Sequence, residues 1–159
     1  MKPDEKARIL CAIDFDPCSL AALDFARDLA RDLGGTLYVL HVIPSLASFF
    51  VLAPLLVEHT RHFAKIRLEE IARESLSQVE YRLVLRKGHP ADQIIRVAAE
   101  FNAKMVVLAT HGRASASQVS LGSIAERVIR ESSCPVVTIS RASVHETTYS
   151  HIVASTSGS

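Results

Sequence analysis

Hydrophobic residues along this chain alternate between two patterns. Short runs rich in β-branched residues are separated by longer segments in which apolar residues recur at helical spacing. That alternation is typical of a parallel sheet with helices on its faces. It predicts an α/β fold, an open five-stranded parallel sheet with helices on both faces. The predicted strands are residues 9–13, 36–42, 79–86, 105–110 and 136–140, and the predicted helices are residues 17–33, 55–76, 90–101 and 122–132.

The composition of each run indicates how deeply it is buried. The run 9–13 is almost wholly apolar, so we expect a central strand that is covered on both faces. The run 79–86 alternates only in part, which favours a place nearer a sheet edge. Asp16 is placed to cap the first helix, which begins at Pro17. The residues predicted to be buried are Leu20, Leu23, Ala26, Ala30 and Leu33 in the first helix and Ile94, Ile95, Val97 and Ala98 in the third.

Composition narrows the classes of protein to which the chain can belong. With 159 residues, 48% hydrophobic and 22% charged, it fits one globular domain that needs no disulfide or metal to fold. Lys plus Arg number 18 against 17 Asp plus Glu, and no basic cluster marks a nucleic-acid surface. The three cysteines form no CxxC pair, and the charged N-terminus does not resemble a signal peptide. We therefore expect a cytoplasmic protein that does not bind nucleic acid.

Two segments differ from the rest of the chain. Residues 42–57 carry no charge, but they are too short for a membrane span and contain two prolines. We expect this segment to cover the domain or a partner subunit, with lipid attachment as the alternative. Residues 142–159 have no long apolar stripe. The sequence thus predicts one domain over residues 1–141, followed by a polar, mobile tail.

Candidate ligand-binding residues fall at the predicted carboxyl ends of the strands, where ligands bind in open parallel sheets. Asp14 follows the first strand, Val42 ends the second, and Ala109 lies near the end of the fourth. These residues converge only if their strands are neighbours in the sheet.

The connection after the fourth strand has the features of an anion site. Gly112 is followed by nine residues and then by Gly122 and Ser123, which open a helix. The glycines permit close backbone approach, and the helix-start amides and the Ser123 hydroxyl are donors that suit phosphate oxygens. Taken alone, this spacing also fits a plain loop before a capped helix. Further donors in the loop are Arg113, Ser115, Ser117 and Ser120.

Four stretches of sequence together resemble a known family. They are ILCAIDFDPCSLAALDFA, LHVI, GHPADQII and ATHGRASASQVSLGSIAERVIRESSCPVVTI. They look like a universal stress protein domain covering residues 8–140. In ATP-binding members of that family the phosphate motif is Gly, two residues, Gly, nine residues, Gly, then Ser or Thr. This chain follows the motif except that Ala109 replaces the first glycine and adds one methyl group.

The resemblance implies a Rossmann-like fold of the adenine nucleotide alpha hydrolase type and an adenine nucleotide as ligand. By position in the motif it assigns Asp14 to the adenosine end and the backbone of Val42 to adenine. Ala109 is assigned to the ribose region. The positions that it assigns to the phosphates are Gly112, Gly122 and Ser123.

Three functions follow as hypotheses. The first is a cytoplasmic ATP-binding regulatory module, with AMP or ADP as alternative ligands, Mg²⁺ left open and an unidentified protein partner. The second is a slow ATP hydrolase or phosphotransfer enzyme using His111, Asp14 and Glu126, although the chain lacks GxxxxGK[ST]. The third is a nucleotide-free dimeric scaffold, which Ala109 keeps open. We expect a two-fold homodimer through residues 136–140, because an apolar sheet edge is normally paired, and the resemblance implies the same mode.

Several candidate residues also have a purely structural interpretation. Asp14 can serve as a turn cap rather than a ligand contact. Among the cysteines only Cys18, near a helix N-terminus, is a candidate for a lowered pKa. His59 and His62 lie three residues apart but lack an evident third metal ligand, so we predict that they are solvated. Helix residues Glu126 and Arg127 are predicted to form surface charge pairs.

Overall fold

The structure is a computed structural model that describes residues 6–45, 53–110 and 121–140, with the side chains of the second helix described from residue 58 onward. Within these ranges strands and helices alternate, and every predicted element is present within two residues of its expected bounds. The strands are β1 (Arg8–Ile13), β2 (Thr36–Pro44), β3 (Glu80–Gly88), β4 (Met105–Ala109) and β5 (Val136–Ile139), and the helices are α1 (Pro17–Asp32), α2 (Ala53–Ser75), α3 (Pro90–Glu100) and α4 (Ser123–Glu131).

All five strands form one parallel sheet in the order β3-β2-β1-β4-β5. β1 is therefore central, as its apolar sequence predicts, and β3 lies at an edge, as its partial alternation predicts. Ile13, the last residue of β1, is opposite His41 of β2, and Ala12 is opposite Leu108 of β4. The strands that carry Asp14, Val42 and Ala109 are thus neighbours. This was the condition for those residues to converge.

The helices cover both faces of the sheet in pairs. On one face α1 and α2 pack against alternate residues of the central strands, including Ile9, Cys11 and Val39. On the other face α3 and α4 pack against the intervening residues, including Leu10 and Leu40. Successive strand residues point to opposite faces, so each central strand contributes to both layers. This confirms the predicted α/β architecture.

Helix α1 shows how local sequence sets its ends. The Asp16 carboxylate accepts a hydrogen bond from the Ser19 amide at 2.7 Å, which confirms the predicted cap. At the other end Gly34 adopts φ +58°, which favours glycine. The predicted stripe is correct for Leu23, Ala26 and Ala30, whereas Leu20 and, in α3, Ile95 are only partly buried. The prediction for Leu33 is wrong because the helix ends at Asp32, leaving Leu33 at the C-cap with 56% exposure.

Two sequence predictions lie partly or wholly outside the described residues. In the uncharged segment 42–57 these are residues 46–52 and the side chains of residues 53–57, and the polar tail 142–159 lies outside altogether. Among the described helices, none is both long enough and apolar enough to cross a membrane.

Candidate functional site

The carboxyl ends of β1 and β4 define the candidate site. The two strands are adjacent, but the chain leaves β1 toward α1 on one face and runs from β4 to α4 on the other. Such divergence between neighbouring strands opens the crevice in which doubly wound sheets bind ligands. The turn after β1 and the start of α4 lie at the ends of these two strands.

The β1–α1 turn holds Asp14 in a network of short-range hydrogen bonds. The Asp14 amide donates to the Ser19 hydroxyl at 3.2 Å, and Oδ1 of Asp14 accepts from the Asp16 amide at 3.2 Å. The Ser19 hydroxyl donates in turn to the Asp16 carbonyl at 3.0 Å. Among the described residues, Oδ1 is the only atom of this carboxylate with a hydrogen-bond partner. The turn-cap interpretation of Asp14 is therefore correct, and a ligand contact through Oδ2 remains compatible with it.

Phe15, in the same turn, contacts β2 beside the end of β1. Its φ is +69°, in the left-handed region that a bulky residue seldom adopts. Its ring lies 4.2 Å from the His41 ring, centroid to centroid, with the planes tilted by 30°. His41 Nδ1 donates to the carbonyl oxygen of Ile13 at 2.9 Å. These contacts hold the turn against β2 at His41, the last β2 residue paired with β1 and the residue before Val42.

Val42 lies where β2 extends beyond its neighbour. Pairing with β1 ends at His41, whereas pairing with β3 continues to Pro44 opposite Gly88. Within the described chain, the β1 side of β2 therefore has no strand beside it from Val42 onward. The Val42 side chain is buried in the layer of α3 and α4, so a ligand here would meet backbone.

A pair of backbone hydrogen bonds fixes the start of α4 at the end of β4. The Thr110 amide donates to the Ile139 carbonyl of β5 at 2.9 Å, and the Thr110 carbonyl accepts from the Gly122 amide at 2.8 Å. Ala109, paired with Ile139, comes immediately before this junction and is partly buried. The end of β4, the end of β5 and the N-terminus of α4 thus meet at one residue.

Gly122 is the N-cap of α4, with φ −66° and ψ 150°. This is ordinary extended backbone, so Gly122 does not use the unusual dihedrals that glycine permits. Having no side chain, it offers no acceptor to the first amides of the helix, and Ser123 beside it is exposed. The first amides of the helix, at the end of β4, consequently receive no side-chain cap from Gly122 and suit an anion as acceptor. Two further predicted contacts, Gly112 and Arg113, lie outside the described residues.

The charged residues of α4 form ion pairs, one of which joins α4 to α3 while the others lie within α4. Arg127 forms ion pairs with Asp92 of α3 and with Glu131, the latter at 3.2 Å. The hydrogen bond to Glu131, with the charge of Asp92, raises the pKa of Arg127. Glu126 lies 3.9 Å from Arg130. The prediction of surface charge pairs is confirmed.

The other candidate residues are dispersed. Cys18 is buried with its Sγ 3.5 Å from the Ile139 carbonyl oxygen, which leaves little access for redox chemistry. Cys11 is fully buried in the core, and burial raises the pKa of its thiol. His59 and His62 are exposed on α2, as predicted. No group of three metal-ligating residues occurs in the described parts of the chain.

Sequence reasoning missed the residues that organise the site. Ser19 is detectable in principle, since it lies three residues after the capping Asp16 in DPCS. The contact between Phe15 and His41 becomes visible only once the strand register places His41 beside Ile13. Nothing in the local pattern signals the left-handed φ of Phe15.

Comparison with known proteins identifies the family. The sequence model described as the universal stress protein family matches residues 7–140. The chain belongs to this family. Universal stress protein MJ0531 of Methanocaldococcus jannaschii is 26% identical over 142 residues, which are 84% of this chain and 82% of that protein.

Solved structures agree with the fold. The structure of MJ0577, also from Methanocaldococcus jannaschii, has a TM-score of 0.74 at 22% identity and covers 85% of this chain and 96% of its own. A universal stress protein in complex with cAMP has a TM-score of 0.61 at 21% identity, with coverage of 86% and 98%. At such identities these likenesses establish the α/β fold of the family for this chain.

Proposed function

We propose that this universal stress protein domain is a cytoplasmic regulatory module that binds an adenine nucleotide, with ATP as the expected ligand, and acts as a homodimer. AMP and ADP are the alternative ligands, and Mg²⁺ would accompany a triphosphate. In this proposal nucleotide occupancy changes the contacts made with partner proteins.

The observation that carries the proposal is the junction at Thr110. The hydrogen bond from the Gly122 amide to the Thr110 carbonyl holds the N-terminus of α4 at the end of β4, and β4 is the strand next to β1, which leads into the Asp14 turn. A helix N-terminus attracts anions through its unpaired amides and its dipole, typically by about 0.3 to 1 kcal/mol for one charge. Several donors must therefore cooperate to bind phosphates. The family resemblance assigns Gly112, Gly122 and Ser123 to the phosphates, and Arg113 in the loop is a further candidate donor.

At the base end of the proposed site, the groups available to a ligand are the backbone of β2 at Val42 and the carboxylate of Asp14. Beyond His41 the free side of β2 offers peptide groups at Val42, which can pair with the edge of a purine. Asp14 stands at the neighbouring strand end and suits a hydroxyl or amino donor of adenosine. The solved universal stress protein in complex with cAMP supports an adenine nucleotide for a domain of this fold.

Regulation is favoured over hydrolysis because of how the candidate carboxylates are placed. Oδ1 of Asp14 is occupied within its own turn, and Glu126 lies one turn into α4 beside Arg130. Two carboxylates that bind Mg²⁺ for phosphoryl transfer would instead converge on the phosphates. Dimerisation is proposed through β5, an uncharged edge strand of valines, threonine and isoleucine.

The test begins with the ligand that the purified protein carries, released by denaturation and identified by mass spectrometry. Titration calorimetry then compares ATP, AMP and cAMP on the emptied protein. Ser123→Ala should raise Kd about 10- to 150-fold, the equivalent of about 1.5 to 3 kcal/mol for a hydrogen bond to a charged group. Ser133→Ala is the matched control, because exposed Ser133 lies before β5 at the opposite end of the sheet.

Two glycine variants complete the test. Gly122→Val should abolish binding by filling the approach to the phosphates, and it introduces no left-handed strain because φ at Gly122 is −66°. Ala109→Gly should strengthen binding or leave it unchanged, since it removes a methyl from the ribose side. A folded Gly122→Val protein that binds ATP as tightly as wild type would place the phosphates elsewhere. Absence of any nucleotide binding in wild type would favour the scaffold hypothesis.

A further inference from the structure

The outer edge of β3 is long and lacks a neighbouring strand in the described chain. β3 has nine residues, Glu80–Gly88, and pairs only with β2, whereas the other edge strand, β5, has four residues. An edge strand presents a row of backbone N–H and C=O groups that another extended segment can pair with. This edge therefore has the length to accept a complete additional strand.

A cleft runs beside this edge, between α2 and β3. It has a volume of about 390 Å³ and is lined by Arg61, Lys65, Leu68, Glu69, Leu83 and Leu85. Leu83 and Leu85 face the α2 side of the sheet but are only partly buried, because α2 does not cover the last strand fully. Tyr81 lies on the same face by strand alternation and is 39% exposed. The cleft thus has an apolar floor that side chains of an added strand can reach.

The charges around the edge are predominantly positive. Arg61, Arg82 and Lys87 form no ion pair with a described residue, and Lys65 has only a 3.9 Å contact with Glu69. The remaining charges on β3 are neutralised in pairs, Glu80 by Lys6 at 2.6 Å and Arg86 by Glu100 at 2.9 Å. An acidic segment would meet complementary charge on both sides of the edge.

The same charges disfavour one of the registers in which a second copy of this chain could occupy the edge. An antiparallel pairing of two β3 strands centred on Val84 would place Arg82 of one copy directly opposite Arg86 of the other. Like charges in directly opposed positions destabilise a strand pair. A pairing centred on Leu83 would instead place Glu80 opposite Arg86, so self-association at β3 is an outcome that the test must distinguish.

We infer that the outer edge of β3, together with the cleft between α2 and β3, binds an extended segment of a partner protein in which acidic and apolar side chains alternate. The segment adds to the sheet as a sixth strand. Its apolar side chains lie on the α2 side, over Leu83 and Leu85, and its acidic side chains lie on the other face of the sheet, beside Arg82. The inference does not depend on nucleotide binding.

The test uses the full chain and a capped, fluorescent nine-residue peptide of alternating glutamate and leucine, with a lysine–leucine peptide of the same pattern for comparison. Fluorescence anisotropy should show binding of the glutamate peptide only. Arg82→Glu, which places a like charge beside the acidic side chains, should weaken that binding by about tenfold or more. Arg96→Glu is the matched control. It makes the same change in net charge at an exposed position outside the cleft and should leave binding unchanged.

Hydrogen exchange distinguishes strand addition from nonspecific charge attraction. The glutamate peptide should slow amide exchange in residues 80–88 and leave β5 unchanged. Equal binding of the lysine peptide, equal loss of binding in the control variant, or unchanged exchange in β3 would each overturn the proposal. So would absence of binding at about millimolar peptide, an affinity weaker than about −4 kcal/mol. Self-association of wild type that slows amide exchange in residues 80–88 without any peptide would show that a second copy occupies the edge and would also overturn it.

Discussion

Replacing Phe15 tests whether the turn at the candidate site is strained. The backbone of Phe15 has φ +69°, a conformation that costs a non-glycine residue about 1 to 2 kcal/mol. The ring offsets part of this cost by its contact with His41 at 4.2 Å, worth about 0.5 to 1.5 kcal/mol beyond burial. Both Phe15→Ala and Phe15→Gly remove the ring, but only glycine also removes the strain.

The two variants should therefore differ in stability in the order opposite to that of an ordinary helical position. Phe15→Gly recovers about 1 to 2 kcal/mol of strain and loses about 0.4 to 1 kcal/mol through the greater entropy of its unfolded chain. We expect the glycine variant to be more stable than the alanine variant by about 1 kcal/mol. At an ordinary helical position the order is reversed, with alanine better than glycine by about 1 kcal/mol.

Equilibrium unfolding in urea, followed by circular dichroism, measures both differences. Leu20→Ala and Leu20→Gly form the matched control pair, because Leu20 is also partly buried but lies in regular helix α1. The reasoning is refuted if Phe15→Ala is as stable as Phe15→Gly while the Leu20 pair shows the ordinary order.

Two further predictions concern the core and the other sheet edge. Burial, with the charge of Asp24, raises the pKa of Cys11 above its usual value of 9.0. The contribution of this thiol to the free energy of unfolding is fully present below about pH 9.0 and falls by up to about 1.4 kcal/mol per pH unit as the pH rises above that value. Urea unfolding from neutral to alkaline pH should therefore show a shallower decline of stability in Cys11→Ala than in wild type. Light scattering at about ten micromolar or above should give a dimer for wild type and a folded monomer for Ile139→Lys, which introduces like charges at the β5 edge. A monomeric wild type would contradict pairing through β5.

Local sequence predicted the fold well because each element carries its own signal. The apolar run in β1 requires two covered faces, and Asp16 before Pro17 marks a helix start, so both features were correct. Leu33 was assigned wrongly because periodicity continues past the point at which the helix ends. Helical spacing identifies a face of a helix, but it does not identify the last residue that the sheet covers.

The candidate site was predictable only as far as strand order allows. Asp14, Val42 and Ala109 lie at the same end of the sheet because the carboxyl ends of parallel strands point in the same direction. The contact of Phe15 with His41 depends on a backbone dihedral and a strand register that no hydrophobic pattern encodes. Likewise, the junction at Thr110 joins residues from three elements that are distant in sequence.

That junction gives the proposed regulation a physical route. Thr110 is bonded through its carbonyl to Gly122 at the start of α4 and through its amide to Ile139 in β5. A ligand that draws the start of α4 toward its phosphates acts on the same residue that holds β5. Because coupling between two sites is reciprocal, pairing of two β5 edges would alter nucleotide affinity by the factor with which the nucleotide alters pairing.

β3, two strands away from β1 on the other side of the sheet, shares no hydrogen bond with this junction among the described residues. Strand addition at β3 should therefore proceed independently of the nucleotide, whereas dimerisation through β5 should not.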